Sequence, residues 1–205
     1  TVDEVINVAY RNADGWSDPF PVGSDGGDSD DPEIAMSEDG ERVAVTYEYQ
    51  PDGENEKVEA VISEDGGATW SSPVSISVSE AFDADDPVVA MSDDGMTIVT
   101  AFERDHDSWD FAYRIGVVAS HDGGQTWTSP RWVAAGNLDN RDPKIAISSD
   151  GKAKTRSLAR MMTSSSNDPL RAAAQRPRGT PKVMPIPTAT TATAMVAGMT
   201  AEAAI

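Results

Sequence analysis

Short runs of alternating apolar and polar residues recur along the first two thirds of the chain. In residues 43–49 the alternation places Val43, Val45 and Tyr47 on one side of an extended segment, which is typical of a β-strand. Gly and Asp residues lie between these runs and favour tight turns. The pattern predicts a unit of four short antiparallel strands, over residues 33–37, 43–49, 58–63 and about 70–78.

Two markers show that this unit is repeated. Asp30-Asp31-Pro32 returns as Asp85-Asp86-Pro87 and again as Arg141-Asp142-Pro143. A Trp-x-x-Pro marker begins 16 or 17 residues before each of these prolines, at Trp16, Trp70 and Trp127. Four-stranded units at such a period are the blades of a β-propeller. The sequence therefore predicts an all-β fold with a partial blade over residues 1–22, complete blades over about 32–78 and 87–134, and the start of another blade at Pro143.

The turn between the third and fourth strands carries the most specific motif, Ser-x-Asp-x-Gly-x-Thr-Trp. It is complete twice and is shortened in residues 12–16. An Asp carboxylate can accept hydrogen bonds from loop N–H groups, Gly allows a positive φ, and Trp can pack beneath the turn. We expect the following residues to build the turns: Ser63, Asp65, Gly67, Thr69, Trp70, Ser120, Asp122, Gly124, Thr126 and Trp127.

This motif resembles the Asp box, or BNR repeat, of the sialidase (neuraminidase) superfamily. The resemblance implies a six-bladed propeller whose Asp-box residues are structural and lie away from the catalytic pocket. Because only two complete blades can be counted, we expect a partial, sialidase-like propeller that needs further blades or another chain to close.

The composition changes after residue 152. Residues 1–152 contain 33 acidic and 9 basic residues, whereas residues 153–205 contain 2 and 7 and have no aromatic residue to anchor a core. We predict propeller blades over residues 1–152 and a low-complexity, disordered tail over residues 153–205. A shifted reading frame is the alternative for the tail, because moving the frame back by one base turns the codons of Met161, Met162 and Met199 into Asp codons.

The net charge of −19 excludes nucleic acid as a partner, since phosphate binding needs clustered Lys and Arg. No apolar run is long enough to be a membrane segment, and no signal peptide is present in the sequence. The absence of Cys excludes disulfides and thiolate metal sites but leaves the compartment open. The resemblance implies a secreted or cell-surface protein with glycans or cell-surface proteins as partners.

Two functions stay open at this point. The first is a non-catalytic glycan-binding, protein-binding or structural module, and the second is part of an exo-sialidase-type glycoside hydrolase whose catalytic blades are missing or altered. The resemblance implies that such an enzyme needs an Arg cluster, a Tyr nucleophile with a Glu partner, and an acid/base Asp. No catalytic residue can be assigned by position, and candidates exist only by type: Arg11, Arg42, Arg104, Arg114, Arg141, Tyr47, Glu48, Tyr49 and Glu103.

We expect no cofactor and assign no metal ligand, with Ca²⁺ as the one ion left open. Three acidic loops have the oxygen density that Ca²⁺ prefers, although none has the spacing of an EF-hand. Their members are Asp25, Asp28, Asp30 and Asp31, then Asp83, Asp85 and Asp86, then Asp105, Asp107 and Asp110. His106 and His121 are isolated, and we expect both to be surface residues.

Overall fold

The protein is described by a computed structural model, which covers residues 4–77, 82–105, 113–133 and 139–160 of the 205-residue chain. These residues form strands and turns, and no helix occurs among them. The strands in chain order are β1 (Asn7–Val8), β2 (Arg11–Asn12), β3 (Gly15–Trp16), β4 (Phe20–Pro21), β5 (Gly27–Met36), β6 (Val43–Pro51), β7 (Lys57–Ser63), β8 (Val74–Ser75), β9 (Ala84–Met91), β10 (Ile98–Asp105), β11 (Tyr113–Ser120), β12 (Arg131–Trp132), β13 (Asp139–Ile147) and β14 (Ala153–Arg160).

Two four-stranded antiparallel sheets form the centre of the structure. One has the strand order β5-β6-β7-β8 and the other β12-β11-β10-β9, so strands that are consecutive in sequence pair with each other. The first strand of each sheet contains an Asp-Pro marker, and one Ser-x-Asp-x-Gly-x-Thr-Trp turn lies between the third and fourth strands. They are the two complete blades that the sequence predicts, and we call them blade 1 and blade 2.

The first strand of a blade is longer than predicted. β5 begins at Gly27 rather than at residue 33, because the chain crosses a β-bulge between Asp30 and Glu33 and then continues to pair with β6. At the bulge Asp31 has a φ of 43°, and Asp86 and Asp142 in the next two repeats have φ values of 48° and 53°. Asp tolerates this left-handed conformation better than most residues, and the proline that follows has no N–H to place in the ladder.

The main core lies between the blades. Val58 and Ile76 of blade 1 pack with Phe102 and Val118 of blade 2, and each of these side chains is at most 2% exposed. A second cluster at the same interface contains Ala44, Ile62, Met91 and Ile98. On the other face of blade 1, Tyr47 and Val61 pack with Ile6 and Val22, so both faces of this blade are apolar, as in sheets that are packed between neighbours.

Each end of the described chain forms half of a blade. In the outer half-blade, residues 4–22, β1 pairs with β4, and the N–H of Val22 donates to the carbonyl of Ile6 at 3.0 Å. The N–H of Ile76 donates to the carbonyl of Val58 in the same way between the third and fourth strands of blade 1. In the inner half-blade, residues 139–160, β13 pairs with β14 and has the same bulge, between Arg141 and Lys144.

β14 continues from Ala153 to Arg160, past the domain boundary predicted after residue 152. A β-ladder uses backbone N–H and C=O groups, so a change in side-chain composition does not by itself end the pairing. Residues 161–205, which hold most of the predicted tail, lie outside the described residues. Within the described part of the chain there is no helix of the length and apolar character needed to cross a membrane.

Candidate functional site

The Ser-x-Asp-x-Gly-x-Thr-Trp turns use their polar side chains internally. The Asp65 carboxylate accepts the Thr69 N–H at 2.8 Å and the Thr69 hydroxyl at 2.6 Å, and the Ser63 hydroxyl donates to it at 2.9 Å. The Ser63 oxygen in turn accepts the Gly67 N–H at 2.8 Å. The indole N–H of Trp70 donates to the carbonyl of Gly67 at 3.0 Å, so the ring lies against the turn.

The second turn repeats this arrangement. The carboxylate of Asp122 accepts the N–H and the hydroxyl of Thr126, and the Ser120 hydroxyl also donates to it. These hydrogen bonds, those from Thr126 first, lower the pKa of Asp122 to about 2, and the equivalent bonds from Thr69 lower the pKa of Asp65. The Trp127 ring packs against the core clusters between the blades, and its indole nitrogen has no acceptor within the described residues.

The opposite end of the blades carries a cleft. The turns just described lie beside the loops that join the first and second strands, as shown by the 2.8 Å bond from the Gly66 N–H to the carbonyl of Glu41. The Asp-Pro steps lie farther along each first strand, toward the other end. There the three repeats line a cleft of about 210 Å³ with Asp31, Pro32, Glu33, Asp86, Pro87, Val88, Asp142, Pro143 and Lys144.

Beside this cleft, a buried glutamate joins each repeat to the next. The N–H of Asp86 donates to Glu48 Oε1 at 2.5 Å, and the N–H of Asp142 donates to Glu103 Oε1 at 2.5 Å. The two glutamates are 7% and 1% exposed. We call these contacts the inter-repeat carboxylate bonds.

The environment of these acids favours their protonated forms. Burial above all, with a smaller effect from the charges of nearby aspartates, raises the pKa of Glu48 to about 8 and that of Glu103 to about 7, although the hydrogen bonds from the Asp86 and Asp142 N–H groups act in the opposite direction. Burial, together with the charge of Asp86, raises the pKa of Asp85 to about 6. Glu48 of blade 1 and Glu103 of blade 2 thus each have a raised pKa, and each lies beside an Asp-Asp step of its own blade.

Two acidic groups have carboxylate oxygens close enough to hold a cation. One oxygen from each of Asp30, Asp31 and Glu48 lies within 4.8 Å of the others, and the same holds for Asp85, Asp86 and Glu103.

The other described aspartates of the predicted acidic loops lie outside these groups. The Asp28 carboxylate accepts the N–H of Glu4, and the Asp83 carboxylate accepts the N–H of Glu56. The backbone carbonyl of Asp25 accepts the Tyr49 hydroxyl. The side chain of Asp105, and all of His106, Asp107 and Asp110, lie outside the described residues, whereas His121 is exposed in the second turn.

Arg141 lies where the inner half-blade meets blade 2. Its Nη1 is 3.7 Å from Glu103 Oε2, and its guanidinium carbon is 3.4 Å from the centroid of the Tyr113 ring. The Asn140 amide donates to the backbone carbonyl of Tyr113 at 3.4 Å. The candidates chosen by residue type did not include Tyr113. The signal that identifies it is its position at the start of β11, opposite Asp105, which becomes visible once the strands are paired.

A second arginine site lies on the other face of blade 2. The guanidinium carbon of Arg104 is 4.7 Å from the centroid of Phe82 and 5.0 Å from that of Trp132, and Arg114 is directly opposite Arg104 across β10 and β11. Burial, and next the charge of Arg114, lower the pKa of Arg104. We call these four residues the arginine–aromatic patch. It lies at the end of the blade away from the Asp-containing turns.

The other candidates chosen by residue type are not brought together. Tyr47 is fully buried and its hydroxyl donates to Glu59 at 2.9 Å, and Tyr49 is 8% exposed. Burial, with the charge of Glu59, raises the pKa of Tyr47, so this hydroxyl is a core group and not a solvent-facing nucleophile. Arg42 pairs with Glu64 at 2.7 Å at the end that carries the turns, and Arg11 lies on β2 in the outer half-blade.

Comparisons with known proteins give a fold but no family. No protein-family model and no curated protein matches the chain. Among solved structures, the Hadza microbial sialidase Hz136 is 19% identical with a TM-score of 0.51, over 76% of this chain and 39% of that one. An endo-arabinase from Bacteroides thetaiotaomicron VPI-5482 is 15% identical with a TM-score of 0.45, over 67% of this chain and 54% of that one.

This chain therefore spans less than half the length of the sialidase that it matches. At 19% identity the likeness shows the fold alone. The four-stranded blades, their order and this likeness together show that the chain has the fold of a sialidase-like β-propeller, which is not closed over the described residues.

Proposed function

We propose that this protein is a non-catalytic glycan-binding module built from Asp-box propeller blades, and that its ligand is an acidic glycan. The observation that carries the proposal is the arginine–aromatic patch. A guanidinium whose carbon lies within 5.0 Å of two aromatic ring centroids, and whose residue is paired across the strands with a second arginine, suits a sugar carboxylate together with the apolar face of a sugar ring.

The charge of the rest of the molecule supports this position for an anionic ligand. The chain has 35 acidic and 16 basic residues, so a cross-strand pair of arginines is an unusual local concentration of positive charge. The cleft lined by the Asp-Pro steps is acidic and would repel a carboxylate. The patch is therefore the better candidate for an acidic sugar.

The turns around Asp65 and Asp122 are, in this proposal, Asp boxes with a structural role. Their carboxylates are occupied by hydrogen bonds from their own turns, and they lie at the end of the blades opposite the patch. A ligand at the patch would not need them.

Calorimetric titration of the 205-residue chain with 3′-sialyllactose, and with lactose as the neutral control, tests the proposal. We expect binding of the sialylated sugar only, weakened about tenfold or more by Arg104→Ala or Arg114→Ala. Arg11→Ala, which removes an exposed arginine from the outer half-blade, should leave the affinity unchanged. Equal binding of both sugars, or equal affinity of all variants, would contradict the assignment.

A glycoside hydrolase is the second candidate, favoured by the contacts among Glu103, Arg141 and Tyr113. These supply a raised-pKa carboxyl, a guanidinium and a phenol at one junction. Release of fluorophore from a 4-methylumbelliferyl sialoside tests it, and Glu103→Gln should abolish any turnover. Sugar binding without turnover would leave the binding module as the function.

We further propose that the protein acts outside the cell, where glycans and cell-surface proteins are displayed. Its lack of Cys means that folding there requires no disulfide. Fractionation of producing cells tests this location, and recovery of the protein only inside the cell would contradict it.

A further inference from the structure

We infer that blade 2 carries a Ca²⁺ site formed by the side chains of Asp85, Asp86 and Glu103, which we call the blade 2 carboxylate group. One carboxylate oxygen from each residue lies within 4.8 Å of the other two. Ca²⁺ binds oxygen ligands at about 2.3–2.6 Å, so two ligands on opposite sides of one ion are about 4.6–5.2 Å apart. The three oxygens are therefore close enough to contact a single ion. Binding of Ca²⁺ here does not require the glycan proposed for the arginine–aromatic patch.

Strand pairing brings the three carboxylates together. Asp85 on β9 is directly opposite Glu103 on β10, so both side chains lie on the same face of the blade. In a regular strand the next residue would point to the opposite face. The φ of 48° at Asp86 interrupts this alternation, and two consecutive aspartates can therefore both come close to Glu103.

Two buried oxygens of this group have no hydrogen-bond donor. Glu103 is 1% exposed, and within the described residues neither its Oε2 atom nor the Oδ1 atom of Asp85 accepts a hydrogen bond. A buried carboxylate oxygen without a donor is costly, and buried charges in proteins are normally paired or bound to a metal. A cation between β9 and β10 would satisfy both atoms.

Arg141 supplies positive charge beside this group but does not balance it. Its Nη1 atom is 3.7 Å from Glu103 Oε2, which is longer than a hydrogen bond, and its side chain is 41% exposed. Burial outweighs the effect of Arg141 and keeps the pKa of Asp85 at about 6 and that of Glu103 at about 7. The charges of Glu56 and Asp83 also raise the pKa of Asp85. An excess of negative charge is left for a divalent cation to neutralise.

The surrounding backbone holds the ligands in place and leaves a way in for the ion. Glu103 Oε1 accepts the N–H of Asp142 at 2.5 Å, which fixes the carboxylate and leaves Oε2 for the ion. Asp86 is exposed and lines the cleft of about 210 Å³. The ion, and the waters that would complete its coordination, can therefore enter from the cleft.

The donor atoms select Ca²⁺ among the common metal ions. All three are carboxylate oxygens, which suit hard cations, whereas Zn²⁺ and Cu²⁺ sites contain imidazole or thiolate ligands. Mg²⁺ demands near-octahedral geometry at about 2.0–2.1 Å, so its opposite ligands are only about 4.2 Å apart. A group of oxygens separated by up to 4.8 Å fits Ca²⁺ with less movement.

The equivalent residues of blade 1, Asp30, Asp31 and Glu48, have the same spacing but a different environment. Both aspartates are exposed there, so water can hydrate their carboxylates. Within the described part of the chain, none of the three has a buried oxygen that lacks a hydrogen bond. The blade 1 residues therefore provide a matched control for the blade 2 carboxylate group.

Calorimetric titration of the EDTA-treated 205-residue chain with CaCl₂ tests the site. We expect one ion per chain with a dissociation constant below about 10⁻³ M. Asp85→Asn and Glu103→Gln should each weaken binding about tenfold or more, whereas Asp30→Asn should leave the affinity unchanged. Binding of MgCl₂ as tight as that of CaCl₂, or a loss in Asp30→Asn equal to that in Asp85→Asn, would overturn the inference.

Thermal melts separate the loss of a ligand from damage to the fold. Ca²⁺ should raise the melting temperature of the wild type and of Asp30→Asn, but not that of Asp85→Asn or Glu103→Gln. In EDTA each variant should melt at or above the temperature of the wild type, because each removes one of several like charges. A wild type that does not respond to about 10⁻² M Ca²⁺, or an Asp85→Asn variant that is stabilised as much as the wild type, would overturn the inference.

Discussion

The aspartate of each Ser-x-Asp-x-Gly-x-Thr-Trp turn is kept ionised by donors from its own turn. Asp122 accepts hydrogen bonds from Thr126 and Ser120, and its pKa falls to about 2 from an ordinary 3.8. Because the folded-state pKa is the lower one, the carboxylate stabilises the fold fully above about pH 4, and this contribution is lost as the pH falls toward 2.

We predict that Asp122→Asn lowers the melting temperature by a few degrees at pH 7 and flattens the loss of stability between pH 4 and pH 2. The amide nitrogen cannot accept the hydroxyl hydrogen bond that the second carboxylate oxygen accepts. Asp14→Asn, at an exposed position in the shortened first copy, is the control. Thermal melts followed by circular dichroism across this pH range make the comparison, and identical curves for Asp122→Asn and wild type would rule out the role given to the carboxylate.

The protonation of Glu48 makes the free energy of unfolding depend on pH in the opposite direction. Its pKa rises from 4.5 to about 8 on folding, so the folded state binds the proton more tightly than the unfolded state. Its contribution is present below about pH 4.5 and is lost as the pH rises through 8. We predict that Glu48→Gln, which keeps an acceptor for the Asp86 N–H, removes this fall in the free energy of unfolding.

Glu48→Ala should instead destabilise the protein at every pH by about 1–3 kcal/mol, because the Asp86 N–H then loses its acceptor. Denaturant unfolding at pH 5 and pH 8 distinguishes the two variants. If Glu48→Gln keeps the pH dependence of the wild type, the titrating group lies elsewhere.

At the scale of elements, the contact between blades depends on a few large side chains from different repeats. Phe102 of blade 2 is 1% exposed and packs against Val58 and Ile76 of blade 1. We predict that Phe102→Ala costs about 3–5 kcal/mol of unfolding free energy, whereas Met96→Ala, at a 41% exposed site, costs far less. Equal small losses in denaturant titrations would show that the blades do not share this core.

The sequence predicted the blades because their pattern is local. Alternating residues such as Val43, Val45 and Tyr47, and turn residues at a fixed period, define each strand and each turn. The Asp31 bulge escaped prediction because an Asp-Pro step more often suggests the end of a strand. The bond between Glu48 and Asp86 joins residues 38 positions apart in different repeats, and no local pattern signals it. The same holds for Arg104, whose two aromatic neighbours come from a connecting loop and an edge strand.

Over the whole molecule, the blades pack face to face and are joined by the inter-repeat carboxylate bonds. Two such bonds and two apolar clusters connect blade 1, blade 2 and the inner half-blade. A packing of this kind makes the middle strands of each blade the most protected part of the chain.

Residue-resolved hydrogen exchange of the 205-residue chain measures this protection at each backbone amide. We expect slow exchange of amides in the second and third strands of both blades. We also expect the Asp86 and Asp142 amides, which are held by Glu48 and Glu103, to exchange slowly at a bulge where amides would otherwise exchange fast. Uniformly fast exchange would contradict the packing of the blades. Fast exchange at Asp86 and Asp142 alone would contradict the carboxylate bonds.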